Sequence, residues 1–226
     1  TTIRGECGDS LSWSLNEDTG VLRISGSGEM SDYRSADGLK APWHDYAATI
    51  KSVIIGSGVK TVGSYAFANL RNLKSVEINA ELKRLGSGAF YGCTALSDIE
   101  GIEGVKVIGS ECFRGCSALS AIGIPNGCTS VGGYAFAGTA IKSVSVPSSV
   151  VSLGEGAFAS CKKLSYAELP SGSSKVSASL FSGCTALEAF FVKDDGSYGG
   201  TGLTVESNAF SGCSALRELV IYTRAD

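Results

Sequence analysis

The single histidine is the first place to look for catalysis, because an acidic residue follows it directly. His44 and Asp45 lie within the segment APWHDY. A hydrolytic triad also needs a positioned nucleophile beside the imidazole and a third group that orients it. The N-terminal segment does not supply this set at a recognisable spacing. We therefore interpret His44 as a surface or packing residue, and we predict that the chain is not an enzyme.

Cysteine is the second reactive residue type, with 8 copies in the chain. Five of them recur three residues after a phenylalanine: Cys93, Cys116, Cys161, Cys184 and Cys213. Cys112 replaces the alanine and Cys128 the valine or leucine of other inward repeated positions, and Cys7 precedes the repeats. This regular placement is typical of small buried apolar side chains. We expect mostly buried free thiols.

Disulfides and zinc are the competing interpretations of these cysteines. In-register residues one coil apart have Cα atoms about 4.8 Å apart, but their parallel Cβ vectors make a bridge possible only with local distortion. Some disulfide formation therefore stays open. The segment CFRGC offers a single pair of sulfurs without a second pair or a nearby histidine, so zinc is disfavoured.

Acidic and glycine-rich segments give no stronger signal for a metal or a cofactor. Asp98 and Glu100 are two residues apart on a predicted strand, so they share a face without implying a pocket. Asp194 and Asp195 before Gly196 lack the alternating oxygen ligands and terminal glutamate of a calcium loop. The segment GSYGGTG contains no lysine for a phosphate. We predict no metal and no cofactor.

A repeat of about 23 residues organises most of the chain. Phenylalanine recurs at Phe67, Phe90, Phe113, Phe136, Phe158, Phe181 and Phe210. Each repeat then enters a short alternating apolar run, such as Val53/Ile55 or Ile122/Ile124, which predicts a strand with one buried face. One unit cannot bury enough apolar surface to fold alone, so neighbouring units must stack, with their strands in one parallel sheet.

A second apolar pair in each repeat marks a corner of the coil. Examples are Val59/Val62 and Leu82/Leu85, and glycine usually follows the second member directly. Glycine adopts positive φ at little cost, so we predict that the backbone turns there through a positive φ. Between Phe181 and Phe210 six extra residues appear. The insertion at 193–203 is interpreted either as a partner-contacting loop or as a tolerated insertion.

Charge and hydropathy exclude several classes of partner. The net charge is -3, and the sequence pI is about 5.3. A broad basic surface for nucleic acid or anionic lipid is therefore not expected. No segment approaches the roughly 18 uninterrupted apolar residues of a membrane span. The chain begins at Thr1, so we expect any signal peptide to have been removed already.

The strings VKTVGSYAFANLRNLKSVEI and CTSVGGYAFAGTAIKSVSVP resemble the repeats of BspA-like leucine-rich repeat bacterial surface proteins. The opening CGDSLSWSLNEDTGVLRISGSGEMSDY also resembles the segment that precedes those repeats. This resemblance implies a leucine-rich repeat solenoid, a right-handed β/α superhelix dominated by strands, with a capping segment at 1–49 and the solenoid at 50–226. It also implies an exported protein, on the cell surface or secreted, that adheres to host or neighbouring-cell proteins.

At both ends of the solenoid, another segment is needed to cover the apolar core of the terminal coil. The runs Leu11/Trp13/Leu15 and Leu22/Ile24 flank NEDTG and predict a β-hairpin. We expect this segment, together with Trp43 and Tyr46, to cover the first coil. The chain ends soon after the last alternating run, so we expect either that it continues or that another chain covers this end, including by self-association.

The outward positions of the repeated strands form the candidate binding face. Its C-terminal part carries the candidate binding residues Tyr166, Phe191, Val220 and Tyr222, which are of the types that dominate interfaces. Glu77, Asp98 and Glu100 are secondary electrostatic candidates on the same face. The alternative is that the apolar residues only cover the C-terminal end or pack under the insertion. We predict a non-catalytic protein-binding module, with a structural spacer or assembly unit as the other possibility.

Overall fold

The computed structural model describes residues 1–34, 39–193 and 202–221 as a stack of flat coils. Its strands are β1 Thr2–Gly8, β2 Leu11–Asn16, β3 Val21–Glu29, β4 Ser52–Ile55, β5 Gly58–Val62, β6 Ser75–Ile78, β7 Arg84–Leu85, β8 Asp98–Glu100, β9 Val107–Ile108, β10 Ser130–Val131, β11 Ser143–Ser145, β12 Ser152–Leu153, β13 Tyr166–Leu169, β14 Lys175–Val176, β15 Ala189–Val192, β16 Thr204–Val205 and β17 Glu218–Ile221. A 3-10 turn at His44–Tyr46 is the only helical element of these ranges, and no helix in them could cross a membrane. The predicted solenoid dominated by strands is confirmed.

The N-terminal segment is an antiparallel sheet that becomes parallel at β3. β2 and β3 form the predicted hairpin, with Leu15 opposite Leu22, and β1 pairs with the other edge of β2. The first half of β3 pairs in parallel with β4, and its second half pairs in parallel with β5. One strand thus starts both ladders of the solenoid.

Two ladders of parallel strands follow. We call the row of longer strands the front ladder: β3, β4, β6 and β8, then β11, β13, β15 and β17. The row of short strands is the corner ladder: β5, β7, β9, β10 and β12, then β14 and β16. Both rows are interrupted. The front ladder stops after β8 and resumes at β11, because the coil between them has no strand at its Ile122/Ile124 run.

This interruption corrects the expectation of one continuous parallel sheet. Gly123 lies between the two isoleucines and Pro125 follows them. Glycine weakens a strand because it loses more entropy on ordering, and proline has no N–H to donate to a ladder. The apolar alternation therefore places Ile124 in the core without forming a strand.

A column of stacked aromatic rings runs through the core. Consecutive phenylalanine rings from Phe67 to Phe181 have centroids 5.4 to 5.8 Å apart, and Phe210 continues the column at 5.6 Å. The rings from Phe67 to Phe181 are buried. Aromatic pairs at this separation stabilise the core beyond their burial. The spacing of phenylalanine in the sequence is thus confirmed as the axis of the stack.

The segment around each phenylalanine, which we call the turn segment, joins coils by hydrogen bonds. In the first one, the N–H groups of Tyr65, Phe67 and Asn69 donate to carbonyls of the next coil at 2.8, 2.8 and 2.6 Å. Tyr65 and Asn69 have positive φ, and equivalent residues of later coils do too. Two left-handed residues per coil replace the α-helix that a β/α superhelix would contain here.

The corner glycines do not have the predicted conformation. Gly63, Gly86 and Gly109 follow the second apolar pair, but they are not among the residues with positive φ. A Cβ added at Gly63 would lie 1.8 Å from the Ser31 carbonyl oxygen, and one at Gly109 would lie 2.4 Å from the Ser87 backbone nitrogen. Glycine is required there because the backbone of the preceding coil approaches so closely.

Candidate interaction face

The register of the front ladder determines which outward side chains are neighbours. Before the interruption, one outward row contains Arg23, Ile54, Glu77 and Glu100. After it, the same row contains Ser145, Glu168, Phe191 and Val220. A second row contains Ser52, Ser75 and Asp98, then Ser143, Tyr166, Ala189 and Glu218. The face therefore has two chemically different halves.

An aromatic pair lies at the centre of the second half. The rings of Tyr166 and Phe191 are 5.3 Å apart and inclined by 34°. Phe191 is directly opposite Val220 on β17, and 38% of Tyr166 is exposed. Three of the four candidate binding residues are thus brought together. The fourth, Tyr222, lies outside the described residues, as does most of the insertion at 193–203, including Asp194 and Asp195.

A polar network surrounds the aromatic pair, and the sequence analysis did not predict it. Glu168 accepts hydrogen bonds from the hydroxyl groups of Ser145 at 2.5 Å and Tyr166 at 2.7 Å. The Lys193 ammonium forms an ion pair with the same carboxylate at 3.0 Å. Ser145 lies one coil before Glu168 in the same outward row, so the repeat register contained this signal. The face around the aromatic pair is therefore partly polar.

The network also sets the protonation of its members. Burial alone would raise the pKa of the Glu168 carboxyl, but the hydrogen bonds from Ser145 and Tyr166 and the Lys193 ammonium outweigh burial and lower this pKa. The hydrogen bond to Glu168 raises the pKa of the Tyr166 hydroxyl, with a contribution from desolvation. At neutral pH Glu168 is therefore ionised and Tyr166 carries its proton.

The acidic candidates lie on the other side of the interruption. Glu77 and Glu100 are register partners on β6 and β8, and Asp98 is opposite Ser75. All three are exposed. Glu77 accepts a hydrogen bond from the Asn79 amide at 3.1 Å, and among the described residues no basic side chain forms an ion pair with any of the three. Like charges on adjacent strands make this half of the face electronegative.

The cysteine column has a role that its burial alone did not reveal. Each of these thiols is hydrogen bonded to the carbonyl of a phenylalanine in the preceding coil, as in Cys93 to Phe67 at 3.0 Å and Cys116 to Phe90 at 3.1 Å. All eight cysteines are free, and seven are buried. Burial raises the pKa of the Cys116 thiol to about 12. The Cys116 thiol is therefore a structural donor and a poor nucleophile, whereas the hydrogen bond with Cys184 lowers the pKa of Cys161 in the same column.

The remaining chemical candidates do not assemble into a reactive site in the structure. His44 is half-buried in the 3-10 turn, where its backbone N–H donates to the Ala41 carbonyl. Across the described ranges no group of three or more histidine, cysteine, aspartate or glutamate side chains could hold a metal ion. The outward rows of the front ladder are thus kept as the candidate interaction face.

Comparisons with known proteins agree with this architecture. A family model described as the BspA type leucine-rich repeat region matches 6 copies over residues 44–165 and 130–225. A solved leucine-rich repeat protein from Bacteroides ovatus is 24% identical over 94% of this chain, with a TM-score of 0.70, and this chain spans 52% of that one, about half its length. The leucine-rich repeat protein of T. pallidum is 25% identical, with a TM-score of 0.68, over 94% of this chain and 91% of that one. No curated protein matches the sequence.

Proposed function

We propose that this chain, which belongs to the BspA-type leucine-rich repeat family, is an exported module. It recognises protein partners through the outward side of its front ladder. Leucine-rich repeat domains generally mediate protein–protein interaction, and this repeat family is generally non-enzymatic. BspA-like proteins are typically surface-associated. The proposal includes 1–49 as the capping segment, 50–226 as the solenoid, and adhesion to a host or neighbouring-cell protein as the role.

The outward aromatic pair, of which Tyr166 is exposed and Phe191 half-buried, is the observation that carries this proposal. The rings of Tyr166 and Phe191 lie 5.3 Å apart and are tilted by 34°, and Phe191 lies beside Val220. Tyrosine and phenylalanine lose little conformational entropy when they are bound, and they contribute large contact areas. Burial of this patch against a partner would contribute roughly 25 cal/mol per Å² before the entropic costs of association. We assign the centre of the interface to these residues, with Tyr222 as a further member.

The acidic half of the face has a different role in the same proposal. Glu77, Asp98 and Glu100 are exposed and lie beyond the interruption of the front ladder. Exposed charges at the rim of an interface mainly change the association rate and its salt dependence. The aromatic pair, in contrast, would determine the residence time of the complex.

A binding experiment with immobilised host extracellular proteins tests this assignment. We expect Phe191→Ala to weaken binding by about tenfold or more, since aromatic residues at interface centres have the largest effects. Ile54→Ala is the matched control, because Ile54 occupies the same outward row in the first half of the face. Glu100→Ala should reduce the association rate at low salt and leave the dissociation rate unchanged. Equal, negligible effects of all three variants in folded protein would remove the site from this face.

A further inference from the structure

A cleft opens where the front ladder is interrupted. β11 is the first strand of the second half, so its edge toward the preceding coil has no strand partner. The chain leaves β11 at Ser145 and turns through Pro147, while the preceding coil turns through Asn126 and Gly127. An open cleft of about 540 Å³ begins between these turns and extends along the turns after β13 and β15, where Pro170, Ser171 and Lys193 line it. Its volume is within the range of small-molecule binding sites.

The lining of the cleft combines polar and apolar groups in similar proportion. The polar side chains belong to Asn126, Ser145, Ser148, Ser149, Ser171 and Lys193. The Ser149 hydroxyl accepts a hydrogen bond from the Gly127 N–H at 3.0 Å, which ties the two walls together. Val146, Pro147 and Pro170 supply the apolar part of the lining, and the two prolines restrict the backbone there. Serine hydroxyls both donate and accept hydrogen bonds, so the lining matches a ligand rich in groups that do the same.

The charges at the cleft are already neutralised. The ammonium of Lys193 pairs with Glu168, and the hydroxyl groups of Ser145 and Tyr166 complete the hydrogen bonding of that carboxylate. The side chain of Glu168 is only 16% exposed. An anionic ligand would have to compete with Glu168 for the ammonium, and a cationic ligand would meet that ammonium first. The local electrostatics thus favour an uncharged ligand.

The same network joins the cleft to the aromatic pair. Ser145 and Lys193 line the cleft, and both contact Glu168, which in turn is bonded to the exposed Tyr166. Hydroxyl-lined walls and an adjacent exposed aromatic surface are complementary to a sugar, which has hydroxyl groups on its edges and an apolar C–H face. We infer that the cleft and the Tyr166/Phe191 pair together form a binding site for a neutral oligosaccharide.

This inference rests on the proposed function, because it names a carbohydrate on the partner as the ligand of the same face. The direct probe is an array of neutral, sialylated and sulfated oligosaccharides. We expect binding to neutral members, and loss of that binding by more than about tenfold in Tyr166→Ala and in Ser148→Trp, which fills the cleft. Ser57→Trp is the matched control, since Ser57 is exposed in the corresponding corner after β4. Melting temperatures establish that each variant is folded.

A second arm separates failure of this inference from failure of the proposed function. Host extracellular proteins are tested before and after periodate oxidation, which cleaves the vicinal diols of sugars. Binding that disappears after oxidation, and that Ser148→Trp abolishes, supports the oligosaccharide site. Binding that survives oxidation and Ser148→Trp, but is lost in Phe191→Ala, overturns the site and retains protein recognition. Binding to sialylated or sulfated members alone also overturns it.

Discussion

The two ends of the solenoid close the same core in different ways. At the N-terminal end, the Trp43 ring stacks on Phe67 at 5.3 Å and 18° and is fully buried. Its indole N–H donates to the Ala66 carbonyl at 2.8 Å, and the Tyr33 N–H donates to the Ser64 carbonyl at 2.7 Å. In the next coil the equivalent carbonyls accept from backbone N–H groups. The capping segment thus imitates the contacts of a coil.

At the C-terminal end, the described residues include no equivalent of this cover. Phe210 stacks on Phe181 at 5.6 Å but is only half-buried, and 49% of Leu219 is exposed. Within the described part of the chain, no carbonyl accepts from the N–H groups of Asn208 or Phe210. The first coil is thus closed by an aromatic ring and a hydrogen-bond donor, which Trp43 supplies from a single side chain, whereas the N–H groups of the last coil require acceptors.

Truncation of the aromatic ring at each end should give the largest effect on stability, and this effect should differ between the two ends. Trp43→Ala should lower the free energy of unfolding by about 3 to 5 kcal/mol, because it leaves a large cavity in a packed core. Phe210→Ala should cost about 1 to 2 kcal/mol, since that ring is already partly in water. Urea unfolding of both variants measures the difference. Equal losses would show that the two ends are closed alike.

An interior ring provides the reference for this pair. Phe113 lies in the middle of the column and is fully buried, and Phe113→Ala should also cost about 3 to 5 kcal/mol. If Trp43→Ala matches Phe113→Ala, the capping segment makes the first coil equivalent to an interior one. A much smaller loss for Trp43→Ala would contradict that equivalence.

A subtler pair of variants isolates the hydrogen bond of the cap. Trp43→Phe keeps a stacked ring but leaves the Ala66 carbonyl without the indole donor. Trp13 is also buried and contacts Trp43 edge-on at 5.8 Å, but its indole N–H has no partner in the described structure. Trp43→Phe should therefore lower the free energy of unfolding by about 1 to 2 kcal/mol more than Trp13→Phe, which has the same change in side-chain volume. Equal costs from thermal or urea unfolding would refute a role for the donor.

Alkaline pH should weaken the structure through its buried thiols. Burial raises the pKa of Cys7 to about 11 and that of Cys116 to about 12, from an ordinary value of 9.0. The unfolded chain therefore loses these protons first, so stability is complete below pH about 9 and falls as the pH rises toward the folded values. The double variant Cys7→Ala/Cys116→Ala should show a shallower fall between about pH 9 and 11. An unchanged slope would contradict this linkage.

Thiol labelling compares the accessibility of the two ends without a substitution that would change stability. Cys213 near the C-terminal end is half-buried, whereas Cys7 of the capping segment and Cys93 of the second coil are buried. Mass analysis after brief treatment with a thiol reagent should find Cys213 labelled first and the other two only slowly, because access controls the reaction. Unfolded, unreduced protein should show most of its 8 cysteines. Cys7 reacting as fast as Cys213 would mean that the cap opens readily.

The sequence predicted the fold through features that every repeat must share. The phenylalanine spacing fixed the core column, and the alternating runs located most strands of the front ladder. The alternation at Ile122/Ile124 predicted a strand that does not form, because Gly123 and Pro125 weaken hydrogen bonding while burial is kept. Burial and strand pairing are separate requirements, and an apolar pattern reports only the first.

The candidate site was predictable to the extent that it depends on register. Counting outward positions brought Tyr166, Phe191 and Val220 together, as the structure does. The register places Ser145 beside Glu168, but their hydrogen bond also depends on side-chain rotamers. The ion pair of Glu168 with Lys193 depends on where the chain turns after β15, which a repeat count does not encode. The reason for the corner glycines was missed likewise, since close approach between backbones depends on the distance between coils.

The hydrogen bonds of the turn segments have a common direction along the solenoid axis. Each N–H points toward the C-terminal end, from Tyr65 to Ser87 and onward to Ser179 and Ser207. Beside the corner ladder the sense is opposite, as from Gly86 back to Val62. The peptide dipoles therefore add along each flank and oppose each other between flanks. The final coil therefore exposes partial positive charge beside its turn segment and partial negative charge beside the corner ladder. A segment that covers this coil must match both charges, so it can bind in one orientation only.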